Sequence, residues 1–117
     1  MRLNEVIFGG RVPIEGDGPG FFRVGGAIHR GPLALLPGGP QPWAGLPEIE
    51  LFLAAAAALD VVFLGMGPEI RPLDAALRSR FDAAGIGVEI MATAPACRTY
   101  NVLLAEGRRI AAGLLPV

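Results

Sequence analysis

Short apolar runs alternate with glycine and turn residues along the first third of the chain. "VIFGG" (6–10), "FFRVGG" (21–26), "AIHRG" (27–31) and "PLALLP" (32–37) are typical of strands, and "EGDGPG" (15–20) is typical of a turn. This pattern predicts antiparallel strands joined by hairpins. The following "GGPQPWAGLP" (38–47) predicts an irregular connector.

The rest of the chain alternates between helical and strand periodicity. Helices are predicted over 47–59, where Ile49, Phe52, Leu53 and Ala56 share a face, and over 71–84, where the apolar stripe is Leu73, Ala76, Leu77, Phe81 and Ala84. Gly85 is placed to end the second helix. Three runs predict strands: "VVFLG" after Asp60, "VEIM" (88–91) and "RRIAAGLLPV" (108–117). The β-α-β-α-β order behind an antiparallel front predicts a single α/β domain over 1–117, with helices packed on a sheet.

One further helix is predicted within "MATAPACRTYNVLLAEGRR" (91–109). Thr93 is a candidate N-cap, and a helix over 94–106 would end at Gly107. At 100° per residue one face carries Ala96, Tyr100, Leu103 and Leu104, and the opposite one carries Arg98, Asn101 and Ala105, with Val102 and Glu106 beside them. We therefore expect Tyr100 in the core, and Arg98 and Asn101 on the surface.

The same stretch allows a second interpretation as a ligand site. If the strands ending at Gly65 and Met91 are parallel neighbours, "GMG" and "ATAPACR" meet at their carboxyl ends, where open α/β sheets commonly bind ligands. A helix N-terminus there would accept an anion. The candidate residues of this cleft are Gly65, Gly67, Thr93, Cys97, Arg98 and Thr99.

Cys97 itself has two interpretations. In the first turn of a helix and beside Arg98, its thiol pKa could fall enough to make it a nucleophile. It also lies at the edge of the apolar face, which favours a small buried residue.

The composition excludes several classes of chemistry. Among 117 residues there is no lysine, so Schiff-base catalysis and a Walker-type phosphate loop lack their cation. His29 and Cys97 are the only soft metal ligands, and "GMGPEI" has Ile70 where a dinucleotide fingerprint needs glycine. We therefore expect neither a metal nor a cofactor.

Charge and hydropathy restrict the partners and the cellular location that we expect. The formal net charge of −1 gives no bulk attraction to nucleic acid, which is not expected as a partner. A lone cysteine and a start without signal-peptide features favour the cytoplasm, and the absence of lysine amid many Arg, Ala, Gly and Pro residues indicates a GC-rich bacterial genome. The apolar stretch 51–67 contains Asp60 at its middle, which predicts a buried helix and strand instead of a transmembrane segment.

Several of these motifs together resemble the Mth-nine-three-eight-like family, a domain of unknown function. They are "GDGPGFFRVGG" (16–26), "HRGPLALLPGG" (29–39), "GMG" (65–67) and "EIMATAPACRTYNVLLAEGRRIAAGLLP" (89–116). The resemblance implies a three-layer α/β fold with a central mixed sheet and additional antiparallel strands. It also implies a relation to mitochondrial complex I assembly factors, which bind partners and have no known catalytic role.

The residues that match the specific family block are Cys97, Arg98, Thr99, Tyr100, Asn101 and Glu106. The family often has an aromatic residue near Asp17 and a more polar one near Ala92, so a functional surface at those positions would differ in this chain.

The sequence and the resemblance lead to three functional hypotheses. The first is a cytoplasmic, non-enzymatic binding or assembly protein, peripheral to the inner membrane, which supports biogenesis of a respiratory complex through a polar surface around Arg98 and Asn101. The second is an anion-binding protein or enzyme that uses the cleft at Gly65 and Thr93. The third is a homo-oligomer held together by apolar surface.

Overall fold

The computed structural model describes residues 11–117, and its first sheet is antiparallel and three-stranded. The strands are β1 (Ile14–Gly18), β2 (Phe21–Val24) and β3 (Ala27–Arg30), in the order β1-β2-β3. The β2–β3 turn is Gly25–Gly26, with φ values of +60° and +78° that glycine adopts without strain. The predicted strand at 6–10 lies outside the described residues.

The second sheet has five strands and is mixed. It contains β4 (Leu33–Leu36), β5 (Gly39–Pro42), β6 (Val61–Met66), β7 (Gly87–Met91) and β8 (Ile110–Leu115), in the order β5-β4-β8-β6-β7. Strand β6 runs parallel to both β7 and β8, whereas β4 is antiparallel to β5 and β8. The central mixed sheet implied by the family resemblance is therefore confirmed.

Three helices connect these strands. They are α1 (Glu50–Ala54), followed by a 3-10 turn (Ala56–Ala58), α2 (Ala75–Ala83) and α3 (Thr93–Ala105). Asp74 caps the start of α2, where its carboxylate accepts a hydrogen bond from the Ala76 N–H at 2.8 Å. Gly85 and Gly107 follow α2 and α3 with φ of +76° each, as predicted for residues that end helices.

Apolar side chains fill both faces of the five-stranded sheet, which makes the fold three-layered. One core lies between this sheet and the layer of α3 and the three-stranded sheet; it includes Phe22, Leu35, Phe63, Ala96, Tyr100, Leu104 and Leu114. The other lies against α1 and α2 and includes Trp43, Ile49, Phe52, Val62, Leu64, Phe81 and Ile86. Adjacent residues of β8, such as Ala111 and Ala112, point to opposite cores. The α/β fold class is confirmed.

Four details of the sequence interpretation were wrong. Strand β5 lies inside the predicted connector 38–47, with Pro40 and Pro42 tolerated because β5 is an edge strand. Strand β1 occupies most of the predicted turn 15–20. The helix predicted over 47–59 is only α1 and a 3-10 turn, and Ala76 of α2 is exposed.

The apolar stretch 51–67 divides as expected between a helical segment and the buried strand β6. Within residues 11–117 no helix has the length and apolar character needed to cross a bilayer.

Candidate functional site

Helix α3 has a buried face and an exposed face, as its periodicity predicts. Ala96, Tyr100 and Leu104 are at most 2% exposed. On the opposite side Arg98, Val102, Ala105 and Glu106 are exposed, and we call these four residues the α3 outer face. Val102 is the large apolar residue of this face, and it is 57% exposed near the end of the helix.

Thr93 is not the N-cap of this helix. The N-cap is Ala92, and Thr93 is the first helical residue, fully buried. Its hydroxyl accepts a hydrogen bond from the Gly67 N–H at 2.8 Å and donates one to the Leu115 carbonyl at 2.6 Å. The Thr93 N–H donates to the Gly67 carbonyl at 2.8 Å. Thr93 therefore joins α3 to the ends of β6 and β8, and its hydroxyl is not available to a ligand.

The predicted cleft at the carboxyl ends of β6 and β7 is filled. Gly65 and Met91 are parallel partners, as expected. However, a Cβ atom on Gly65 would lie 3.0 Å from the Thr93 Cα and 3.0 Å from the Leu114 side chain, so the helix packs directly on the strand. Gly67, with φ of +93°, is also buried. The ligand-binding alternative at Gly65, Gly67 and Thr93 is therefore not supported.

Cys97 is a buried thiol and not an accessible nucleophile. Cys97 is only 5% exposed, and this environment raises the pKa of its thiol to about 12. Burial is the largest cause of this rise in pKa; the carboxylate of Asp17 contributes to it, and Arg98 opposes it with a smaller effect. Because the thiolate is the reactive form, this environment suppresses reaction at neutral pH.

Asn101 was predicted to be a surface residue, and this prediction was wrong. It is half-buried, and its amide forms two hydrogen bonds with the backbone of Ile14. Thr99 is half-buried, whereas Arg98 and Glu106 are exposed as expected. The polar surface expected around Arg98 and Asn101 is thus replaced by the α3 outer face, in which Val102 takes the central position.

Arg11 makes two contacts on the buried side of α3 that sequence reasoning missed. Its guanidinium donates to the Ile110 carbonyl at 2.8 Å and to the Tyr100 hydroxyl at 3.0 Å. Burial raises the pKa of Tyr100, and Arg11 opposes this effect. Because the partners lie 99 and 89 residues away in the sequence, no local signal indicates this role.

Two cavities flank the β4–β5 hairpin. One, of about 190 Å³, is lined by Arg11, Tyr100 and the segment 35–40; the other, of about 390 Å³, lies between 36–41 and the residues Leu51, Ala54, Ala55 and Ala58. Neither contains Gly65, Gly67, Thr93, Cys97 or Arg98. Over the described part of the chain, no three His, Cys, Asp or Glu side chains are grouped closely enough to hold a metal ion.

Comparison with known proteins assigns the fold to a family. Residues 14–115 match the family described as "Protein of unknown function (DUF498/DUF598)", and the chain belongs to this family. A Bordetella pertussis protein described as a Mth-nine-three-eight-like domain has the same fold, with a TM-score of 0.74 and 27% identity over 90% of this chain and 85% of that one. The resemblance drawn from the sequence motifs is therefore confirmed.

Several relatives are named as assembly factors. An uncharacterised protein of Rhodobacter capsulatus is 46% identical over 100% of this chain and 94% of its own length. NADH dehydrogenase [ubiquinone] 1 alpha subcomplex assembly factor 3 of Danio rerio is 31% identical over 84% of this chain. This chain spans 60% of the length of that assembly factor.

A solved structure from Bartonella henselae, described as that of an outer membrane protein, shares the fold more closely than the Bordetella pertussis structure does. Its TM-score is 0.87, with 34% identity over 92% of this chain and 96% of that one. The similarity therefore extends over nearly all of the residues that the structure describes.

Proposed function

We propose that this chain is a binding protein with an assembly role, and that its partner docks on the α3 outer face. The relatives named as NADH dehydrogenase assembly factors support the role at about 30% identity. The observation that carries the choice of surface is the exposed side chain of Val102, at 57%, on a helix whose other face is buried in the core.

Hydrogen bonds hold helix α3, which carries the outer face, at its start, middle and end, and this favours tight docking. Thr93 fixes the start of the helix by three hydrogen bonds, and Asn101 fixes its middle to β1. At its end the Arg108 N–H donates to the Leu103 carbonyl and the Gly107 N–H to the Leu104 carbonyl, a Schellman arrangement. A partner therefore meets a preformed surface and does not have to order it.

The chemistry of this face suits a protein partner. Two charged residues flank Val102 about one turn away: the cation of Arg98 on one side and the anion of Glu106 on the other. An apolar contact with a charged rim is the common arrangement of protein interfaces, where the apolar centre supplies affinity and the rim sets orientation. The expected partner presents an apolar side chain between an acidic and a basic one.

The assembly factors of animals suggest the finer role. We propose that the partner is a subunit of a respiratory NADH dehydrogenase and that this chain works at the cytoplasmic side of the membrane that holds the complex. Cys97 and Thr93, the residues considered for chemistry, are committed to the core and to helix attachment, which supports binding over catalysis.

Complementation of a host strain that lacks this chain tests the proposal. Val102→Asp adds a charge to the α3 outer face and Arg98→Glu reverses one. Ser79→Asp and Arg78→Glu make the matched changes on the exposed side of α2. We expect the first pair to lower the amount of assembled NADH dehydrogenase on native gels about tenfold, because a docking residue costs more than 1 kcal/mol when disrupted.

The control pair should restore assembly fully. All four variants must match the parent in circular dichroism and thermal midpoint. Normal complex levels with both Val102→Asp and Arg98→Glu would contradict the proposal.

A further inference from the structure

Strand β3 has one edge that no other strand covers in residues 11–117. It lies at the end of the order β1-β2-β3 and pairs only with β2, as Phe21↔Arg30, Phe22↔His29, Arg23↔Ile28 and Val24↔Ala27. Consequently one side of β3 carries backbone groups without a strand partner among these residues.

The turn determines which backbone groups these are. Positive φ at both Gly25 and Gly26 is typical of a type I′ turn, which closes on a hydrogen-bonded pair, here Val24 and Ala27. Hydrogen-bonded and non-hydrogen-bonded pairs alternate, and the Gly31 N–H donation to the Gly20 carbonyl at 3.0 Å fits this alternation. The N–H and C=O groups of Ile28 and Arg30 therefore point toward the open edge.

The other edges of the two sheets are protected. Asn101 occupies both backbone groups of Ile14 on β1, and Pro40 and Pro42 interrupt β5. Strand β7 carries the exposed carboxylate of Glu89 at its centre, a common protection against strand addition. Strand β3 has neither a proline nor a carboxylate, and its exposed charge is the cation of Arg30, which disfavours a basic strand but attracts an acidic one.

Side chains beside the open edge form an apolar and cationic surface. Ile28 is 41% exposed and lies opposite Arg23, while Phe21 lies opposite Arg30. The Phe21 ring extends over Gly18, where a Cβ atom would be 2.5 Å from the ring. We call Phe21, Arg23, Ile28 and Arg30 the β3 platform.

The β3 platform carries two positive charges that form no ion pair within residues 11–117. Arg23 and Arg30 are exposed, and the ion pairs found in residues 11–117 join other residues, Arg80 with Glu50 and Arg109 with Asp60. The nearby Glu15 carboxylate instead accepts a hydrogen bond from the Gly26 N–H in the turn. Two guanidinium groups beside an open strand edge favour an anionic partner.

We propose that β3 is a docking edge for an extended acidic segment of a partner protein, which adds as a further strand. The backbone of Ile28 and Arg30 would supply the ladder, Ile28 an apolar contact, and Arg23 and Arg30 ion pairs with acidic side chains of the segment. This surface shares no residue with the α3 outer face, so it goes beyond the proposed function and is tested separately.

A second copy of the chain fits this edge poorly. Antiparallel pairing of two β3 strands would place Arg23 and Arg30 of both copies on one face of the joined sheet. The two guanidinium groups of one copy would then repel the two of the other. An acidic segment instead neutralises the charge already present.

The test is an NMR titration of the isotope-labelled chain with a short blocked peptide of alternating glutamate and valine. Its counterpart with lysine in place of glutamate is the matched control. We expect the acidic peptide to shift the amide signals of Ile28 and Arg30 and to slow their hydrogen exchange. The amides of Ala27 and His29, which already face β2, should change less in exchange.

Two variants separate charge from strand addition. Arg23→Glu/Arg30→Glu should weaken peptide binding about tenfold or more, because two attractive pairs become repulsive. Ile28→Pro removes an outward N–H and should weaken binding while leaving the β2–β3 ladder intact. Arg78→Glu, on α2, should bind the peptide like the parent chain.

Several results would overturn the proposal. They are equal binding of the lysine peptide, amide shifts that map away from β3, or unchanged binding by the double charge-reversal variant. Binding of single-stranded oligothymidylate or of phosphatidylglycerol vesicles to the β3 platform, without binding of the acidic peptide, would also overturn it. Should Ile28→Pro fail to fold, the charge-reversal variant decides.

Discussion

The side-chain amide of Asn101 forms two hydrogen bonds with the backbone of Ile14, a residue 87 positions earlier in the chain. Its Oδ1 accepts from the Ile14 N–H at 2.9 Å, and its Nδ2 donates to the Ile14 carbonyl at 2.8 Å. This pair attaches α3 to the edge of β1 and satisfies both backbone groups there. It also explains why a residue placed on the polar side of the helix is half-buried.

Asn101→Ala should lower the free energy of unfolding by about 2 kcal/mol, because Ile14 loses both partners at a partly buried position. Asn101→Asp should cost a similar amount near neutral pH, since a carboxylate cannot donate to the Ile14 carbonyl. Urea denaturation measures both. Arg98→Ala, a change of an exposed residue on the same helix, should stay within about 0.5 kcal/mol of the parent. A stable Asn101→Ala variant would refute the anchoring role.

Thr93→Val should also destabilise the fold. The substitution keeps the shape of the side chain but leaves the Gly67 N–H and the Leu115 carbonyl without the hydroxyl. We expect a loss of about 2–3 kcal/mol, the cost of unpaired buried polar groups. Thr99→Val, at a half-buried position two turns into the same helix, is the matched control and should cost less than about 1 kcal/mol. Equal losses in the two variants would argue against the special role of Thr93.

Gly65→Ala tests whether α3 packs directly against β6. The added methyl group would lie 3.0 Å from the Thr93 Cα, a backbone atom that cannot rotate away. We expect destabilisation of about 1–3 kcal/mol from overpacking. Gly16→Ala, where the space is open and φ is not positive, should be nearly neutral. If an open cleft existed at Gly65, the two variants would behave alike in thermal denaturation.

Cys97 should resist alkylation in the folded chain. Because burial raises its pKa to about 12, we expect reaction with iodoacetamide near neutral pH to be about 100-fold slower than in the urea-unfolded chain. Mass spectrometry of timed samples gives both rates. A folded-state rate equal to the unfolded one would show that the thiol is accessible after all.

The same thiol makes stability depend on alkaline pH. A pKa raised from 9.0 to about 12 means that the folded state retains a proton that the unfolded state releases. This contribution is fully present below pH 9.0 and is lost as the pH rises toward 12. Over this range the free energy of unfolding falls by at most about 1.4 kcal/mol per pH unit, and solvent screening reduces this slope.

Urea titrations between neutral and alkaline pH measure that slope in the parent and in Cys97→Ala. The variant should show a shallower decline, with the remaining part due to Tyr100, whose pKa burial also raises. Identical slopes in the two proteins would exclude the contribution of Cys97.

The sequence predicted the elements that have a strong local pattern. The apolar run at 61–65 and the helical spacing of Ala96, Tyr100 and Leu104 correctly indicated β6 and the buried face of α3. The turn residues Gly85 and Gly107 correctly marked helix ends. In each case the physical cause, periodic burial or a left-handed φ, acts within a few residues.

The candidate site was less predictable because its contacts are long-range. Thr93 has the residue type of an N-cap, but its hydroxyl meets Gly67 and Leu115, which are 26 and 22 positions away. Strand β5 was missed since Pro40 and Pro42 are normally excluded from strands and are tolerated only at the sheet edge. Only the tertiary fold shows which edges and hydroxyls are already occupied.

The most direct test of the docking role places a photo-crosslinking amino acid at position 102 in the native host. The matched control carries it at position 79, on the exposed side of α2. We expect position 102 to give a discrete crosslink to a NADH dehydrogenase subunit, which Arg98→Glu weakens, and position 79 to give none. Crosslinks of equal pattern at both positions, or none at position 102, would contradict the docking role.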